Sequence, residues 1–513
     1  MAQSGTDAQR DTWTSNRGFI LAAIGSAVGL GNIWRFPGVA YESGGGAFLI
    51  PYLIALITAG IPILFLDYGI GHRFRGSAPL ALRRLHRRAE GIGWFQTMLL
   101  FIISIYYAAV IAWSMSFFYF SFGTKWGSDT QNFFLNDYLH AADPGISSEL
   151  VAGVAWPLAL VWVLIIIVLA TGISGGVEKV NVIGIPLLVL GFGALVIRAL
   201  TLPGATDGLN ALFTPDWGAL TDLDVWIAAY SQIFFSMSIA FGIMIAYASF
   251  QRRKANMTSS GLVVGFANSS FEILAGIGVF SALGFLAHQQ GVAVDQLEGL
   301  TGPILSFVTF PAVISQMPGS ALFGALFFGS LVIAGFTSLV SLVVGVSVAL
   351  QEKFGLSQRT AAVSVGVVCA AFSFGLFATT TGLVALDTVD MFANNVGVVT
   401  SAIVMCVTVV WLARRGELLR LHLNTVSTFK LGRWWIPLVG VFAPVFLTVM
   451  LVQKLRELIV DGYEGYPDWY IGVFGWGTVV LAVVVAAGLA LTGWKGRDDP
   501  AFVAWPPLEG AKR

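Results

Sequence analysis

The run Gly25-Ser26-Ala27-Val28-Gly29-Leu30-Gly31-Asn32 sets three glycines and an amide side chain inside an apolar stretch. A second run, Gln232-Ile233-Phe234-Phe235-Ser236-Met237-Ser238-Ile239-Ala240-Phe241-Gly242, sets two hydroxyls and a glycine inside another. Glycine is a poor helix former, and unwound backbone at membrane depth is tolerated only where it is buried or lines a cavity. The sharper reading is an unwound helix whose free carbonyls and N–H groups face a ligand. The plainer reading is close helix packing, because Gly25 and Gly29 form a small-xxx-small pair. Arg35, Glu272 and Asp390 are charges in apolar surroundings, and charges there are costly and usually paired or functional. The five histidines (72, 86, 140, 288 and 422) show no zinc spacing. Cys369 and Cys406 are the only cysteines, which excludes a disulfide framework and a Cys-rich metal centre. No nucleophile–base constellation is visible, so the chain reads as a non-enzyme.

The elements that must position these residues are membrane helices. Of 513 residues only 11% are charged, against about 25% in soluble domains. The 28 basic and 28 acidic residues cancel, so no net field favours nucleic acid. The 39 Phe and 16 Trp suit helices better than the alternating strands of a barrel. A crossing helix needs about 20 apolar residues. Twelve such segments are predicted, at 18–41, 47–71, 93–122, 153–171, 179–200, 226–250, 261–287, 321–350, 360–378, 388–413, 434–455 and 468–493. No cleavable leader is expected, because the first apolar stretch is long and glycine-rich. Short termini predict no attached soluble domain.

With the N-terminus in the cytoplasm, 23 of the 28 Lys and Arg fall in cytoplasmic loops and tails. The positive-inside rule therefore places both termini in the cytoplasm. The opposite loops are acidic or neutral. Within one of them Thr301–Gln316 is moderately apolar, Pro-interrupted and too short to span, which predicts a re-entrant or capping hairpin. The first and sixth segments, which carry the two breaks, each begin a group of five. An odd number of crossings makes the second group enter the membrane from the other side. The expected organisation is a tail at 1–17, inverted repeats at 18–200 and 226–413, a pair of helices at 434–493, and a tail at 494–513. Matched interruptions in two halves are the best sequence pointer to a transporter site.

Ala27-Val-Gly-Leu-Gly-Asn-Ile-Trp-Arg-Phe-Pro37, followed by Gly44-Gly-Gly-Ala-Phe-Leu-Ile-Pro-Tyr52, resembles the neurotransmitter:sodium symporter family, especially its bacterial amino-acid members. The resemblance runs from about Trp13 to the twelfth segment. It implies an all-α polytopic protein with the LeuT fold, helices 1 and 6 unwound, working by alternating access. It implies a first sodium site at the Ala27 carbonyl, Asn32, Ser236, Asn268 and the substrate carboxylate. A second would use the carbonyls of Gly25, Val28 and Ala334 with Thr337 and Ser338. The substrate site would comprise Ala27, Gly29, Leu30, Gly31, Ile103, Tyr107, Phe235, Ser236, Ser238, Phe241, Ser338 and Leu342. Monoamine members carry Asp at the Gly29 position; Gly leaves room for the substrate's own carboxylate. Bulky Ile103 and Leu342 suggest a small or medium aliphatic amino acid.

The resemblance further implies an outer gate of Arg35 and Asp390 and an inner gate of Arg10 and Glu352, with Trp13 beside it. Phe250 replaces an inner Tyr, Val344 a polar partner, and Ala240 an expected Gly. Tyr52, Gln232, Ser236 and Asn268 match the chloride ligands of animal members, but Glu272 stands where those members have a further Ser. A fixed carboxylate there predicts chloride independence, with Glu272 protonated on the return step. Gly176 and Pro186, with nine residues between them, match a stretch that the family unwinds to let water reach the second sodium. The long outer loop lacks the cysteines of animal members, which points to a prokaryotic cell membrane. The competing readings are a substrate-gated ion channel and a non-transporting amino-acid sensor.

Overall fold

The computed structural model describes residues 11–297, 302–496 and 502–507. Its described residues form a helical bundle, and ten helices are long and apolar enough to cross a membrane. An eleventh crossing is counted when the bent pair α1 (Asn16–Ala27) and α2 (Leu30–Glu42) is taken together. The ten are α3 (Gly46–Phe74), α4 (Arg87–Ser121), α5 (Ala152–Ala170), α6 (Ile173–Leu200), α9 (Met257–Gln290), α10 (Ser320–Phe354), α11 (Gln358–Phe377), α12 (Gly382–Leu412), α13 (Trp435–Val460) and α14 (Asp468–Leu491). The predicted sixth segment is two shorter helices, α7 (Leu223–Ser236) and α8 (Ile243–Ser249), parted by six residues. Neither half is long enough alone, so length and apolarity give ten or eleven crossings rather than the expected twelve.

Burial sorts these helices into two groups. In the most apolar window of α4, α9 and α10, 78%, 78% and 83% of residues are buried, against 33% in α5 and 17% in α14. The first three form the inside of the bundle. The others keep one side on the lipid, with large apolar residues such as Trp156, Ile167, Val480 and Val484 exposed. This suits a membrane, where apolar surface needs no protein cover and small residues allow close approach. Gly71 and Gly208 are examples: a Cβ on either would lie within 2.0 Å of a backbone carbonyl of another helix.

Residues 302–315 form a short apolar helix with Phe307 packed against Phe117, Phe134 and Trp113. Thr301 lies outside the described residues. Gly302, Pro303 and Ile304 line the mouth of the central cavity, which fits the capping part of the expectation. Asp11 and Gly496, near the two limits of the described chain, line one cavity at the other end of the bundle. There Trp494 donates to Glu90 at 2.9 Å, and the Glu90 carboxylate also takes Lys353 and Arg83.

Candidate functional site

The two breaks meet at the centre of the bundle. α1 ends at Ala27, α2 begins at Leu30, and the chain bends by 56° between them. Asn32 folds back so that its Oδ1 accepts the Gly29 N–H at 2.8 Å. Its Nδ2 donates to Asn268 Oδ1 at 2.9 Å, and Asn268 Nδ2 donates to Ser236 Oγ at 3.0 Å. The predicted first cluster is therefore one buried chain of oxygen-bearing side chains running from the first break through α9 to the end of α7.

The second cluster also assembles. Ser338 Oγ on α10 lies 3.0 Å from the Gly25 carbonyl and 3.4 Å from that of Val28. Thr337 Oγ1 lies 3.1 Å from the Ala334 carbonyl. Both clusters consist of hard oxygens, which is the donor type a sodium ion takes.

Between them a cavity of ≈ 670 Å³ opens toward the end of the bundle away from the termini. Every predicted substrate residue except Leu30 lines it. The Leu30 side chain is buried, and this residue contributes its N–H, which donates to Tyr107 Oη at 3.0 Å. A Cβ on Gly29 would sit 2.8 Å from Tyr107 Oη and 3.0 Å from Ser338 Oγ, so a side chain here would fill the space. A Cβ on Gly31 would collide with the Phe235 ring.

Arg35 and Asp390 both line this cavity but hold other partners. Arg35 donates to Ser231 and lies over the Phe235 ring, 4.5 Å from its centroid. Asp390 accepts from Tyr106 at 2.6 Å and Asn394 at 2.9 Å. Glu42, Asp387 and Glu464 line the mouth beyond them. At the termini end the way is closed. Trp13 is buried, donates Nε1 to the Tyr247 carbonyl at 2.9 Å and packs edge-on to Tyr247 and Phe19. Glu352 accepts from the N–H and hydroxyl of Ser77, at 2.7 and 2.6 Å. Its expected partner Arg10 lies outside the described residues.

Glu272 is fully buried, bound by Tyr52 Oη and, at 2.6 Å, by Gln232 Nε2. The Gly176–Pro186 stretch is wound in this conformation. Asp11 caps the start of α6, accepting from the Ile173 N–H at 2.7 Å.

Three features escaped the sequence reading. Asp67 on α3 is buried and accepts the Ala240 N–H at 2.9 Å, so it holds the second break. Its signal was available, since it is a carboxylate inside an apolar segment. The Ala240 carbonyl takes the Ser401 hydroxyl at 3.0 Å, a contact with no sequence signal. His72 and His422, without zinc spacing, meet with ring nitrogens 2.9 Å apart. His72 Nε2 also lies 2.9 Å from the Arg252 carbonyl.

The sequence model of the sodium:neurotransmitter symporter family matches residues 10–135 and 123–495. An uncharacterized sodium-dependent transporter of Methanocaldococcus jannaschii is 41% identical over 497 residues, covering 95% of this chain and 99% of that protein.

Proposed function

The chain belongs to the sodium:neurotransmitter symporter family, and from that premise we propose that it carries a neutral amino acid of small or medium aliphatic type into a prokaryotic cell with sodium. The observation that carries the amino-acid reading is the crowding at Gly29. Gly29 offers no acidic side chain to pair a substrate amine, and Tyr107 Oη and Ser338 Oγ already crowd the place where one would start. The freed N–H groups of the first break and the Tyr107 hydroxyl receive the substrate's carboxylate instead. That carboxylate completes the first sodium site beside Ala27, Asn32, Ser236 and Asn268. Sodium and substrate then stabilise one another, a coupling that is reciprocal by linkage. The second sodium sits at Gly25, Val28, Ala334, Thr337 and Ser338.

The termini are assigned to the cytoplasm by the Lys and Arg distribution, so the open cavity faces outward and the Trp13 seal inward. Closing Arg35 toward Asp390 and releasing Trp13, Arg10 and Glu352 is the alternating-access step. Glu272 supplies a fixed negative charge beside the first sodium site, which makes chloride unnecessary; protonating it eases the return of the empty carrier.

Reconstituted proteoliposomes test the whole reading with an amino-acid panel, sodium or potassium outside, and chloride or gluconate as anion. Saturable, sodium-driven uptake of alanine- to leucine-sized substrates, unchanged in gluconate, is the expected result. Robust tryptophan uptake without alanine or leucine uptake overturns the substrate class. An absolute need for chloride overturns the role of Glu272. Substrate-stimulated sodium flux that does not saturate would mark a channel.

A further inference from the structure

Asn181 stands on α6 between Gly176 and Pro186 and is fully buried. Its Nδ2 donates to the Val177 carbonyl at 2.8 Å. Only the nitrogen of the amide can donate to a carbonyl, so this bond fixes which way the group points. Oδ1 is thereby turned away from its own helix, and it has no hydrogen-bond partner among the described residues. It is aimed at the second cluster: a Cβ built on Gly25 would lie 2.0 Å from it. Three residues along the same face of α6, a Cβ on Gly184 would lie 3.2 Å from Thr337 Cγ2. This face of α6 thus touches both halves of the cluster, α1 at Gly25 and α10 at Thr337.

The other side of Asn181 leads elsewhere. Val177, which takes its N–H, lines a separate cavity of ≈ 390 Å³ at the termini end, together with Asp11, Gly172, Phe250 and Glu352. One side chain therefore joins the second cluster to the cavity at the sealed end. A buried acceptor left without a donor is rare and calls for an explanation. A hard amide oxygen beside a set of hard oxygens suits a cation.

We propose that Asn181 Oδ1 is an additional sodium ligand on the termini side of the second cluster. It is the oxygen a sodium ion meets first on passing between Gly25–Ser338 and the inner cavity. The inference rests on reading that cluster as a sodium site.

The test measures equilibrium binding of radioactive sodium to the purified full-length protein, and sodium release from proteoliposomes, for three variants. Asn181→Ala removes the oxygen and is expected to raise the half-saturating sodium concentration about tenfold. Asn181→Asp keeps an oxygen in place but loses the donation to Val177, and is expected to bind sodium at least as tightly as the unaltered protein. Equal weakening in both would assign Asn181 to the Val177 hydrogen bond alone and overturn the proposal. Thr337→Ala is the control for the cluster. If it weakens sodium binding while Asn181→Ala does not, the inference fails and the site stands. If it leaves binding unchanged, the reading of the cluster fails and the inference falls with it. Should Asn181→Ala not fold, Asn181→Asp decides alone, since weaker binding than the unaltered protein contradicts an oxygen ligand.

Discussion

The two helix breaks do the same job by different means. The first is short, two residues between Ala27 and Leu30, and is tied by a side chain three residues away, Asn32 onto the Gly29 N–H. The second runs from Met237 to Gly242 and takes three residues through the left-handed region: Ser238 (φ 51°), Ala240 (φ 59°) and Gly242 (φ 88°). Two of those are not glycine, and each costs about 1–2 kcal/mol in this conformation. Groups far along the chain hold it, Asp67 on the Ala240 N–H and Ser401 on its carbonyl. A local tie makes a compact break held within a single stretch of chain. A tie from two other helices lets a longer stretch keep a strained course, and couples its shape to the positions of those helices.

Breaking the local tie has the largest expected effect. Asn32→Ala strips the acceptor from the Gly29 N–H and an oxygen from the proposed first sodium site together. Sodium-driven uptake in proteoliposomes should fall to background; normal uptake with unchanged sodium dependence would refute the first site. Breaking the remote tie comes next. Asp67→Ala leaves the buried Ala240 N–H without an acceptor, a loss of about 1–3 kcal/mol. Thermal melting in detergent should shift downward and uptake should drop, while Asp67→Asn, which keeps an acceptor oxygen, should retain most of both. The smallest effect sharpens the comparison. Ala240→Gly relieves one left-handed residue and should stabilise by about 1 kcal/mol at most, because glycine also loses more entropy on folding. A clear fall in melting temperature would show that the alanine methyl packs usefully there.

Much of the candidate site was legible because its signals are local. Gly25, Gly29, Gly31 and Asn32 crowd into eight residues, and a polar interruption in an apolar run is visible without a fold. The segment edges were close for the same reason: the apolar run predicted at 153–171 became Ala152–Ala170, and that at 468–493 became Asp468–Leu491. The sixth segment shows the limit. Its apolar content reads as one continuous span, but six residues leave the helix because Asp67 and Ser401 offer their backbone other partners.

Composition and periodicity alone determined a bundle of membrane helices with two interrupted segments, and Lys/Arg placement led to the expectation that both chain ends lie on one side. Apolar length and Lys/Arg placement act along the chain and need no partners. The tertiary structure decided which oxygens meet. It brought Ser338 to the Gly25 carbonyl across 313 residues and Asn32 to Asn268 across 236. It also parted Arg35 from Asp390 in the open cavity and turned the Asn181 oxygen toward Gly25. Those outcomes depend on how helices cross and how closely glycines let them approach, which spacing along a single chain does not encode.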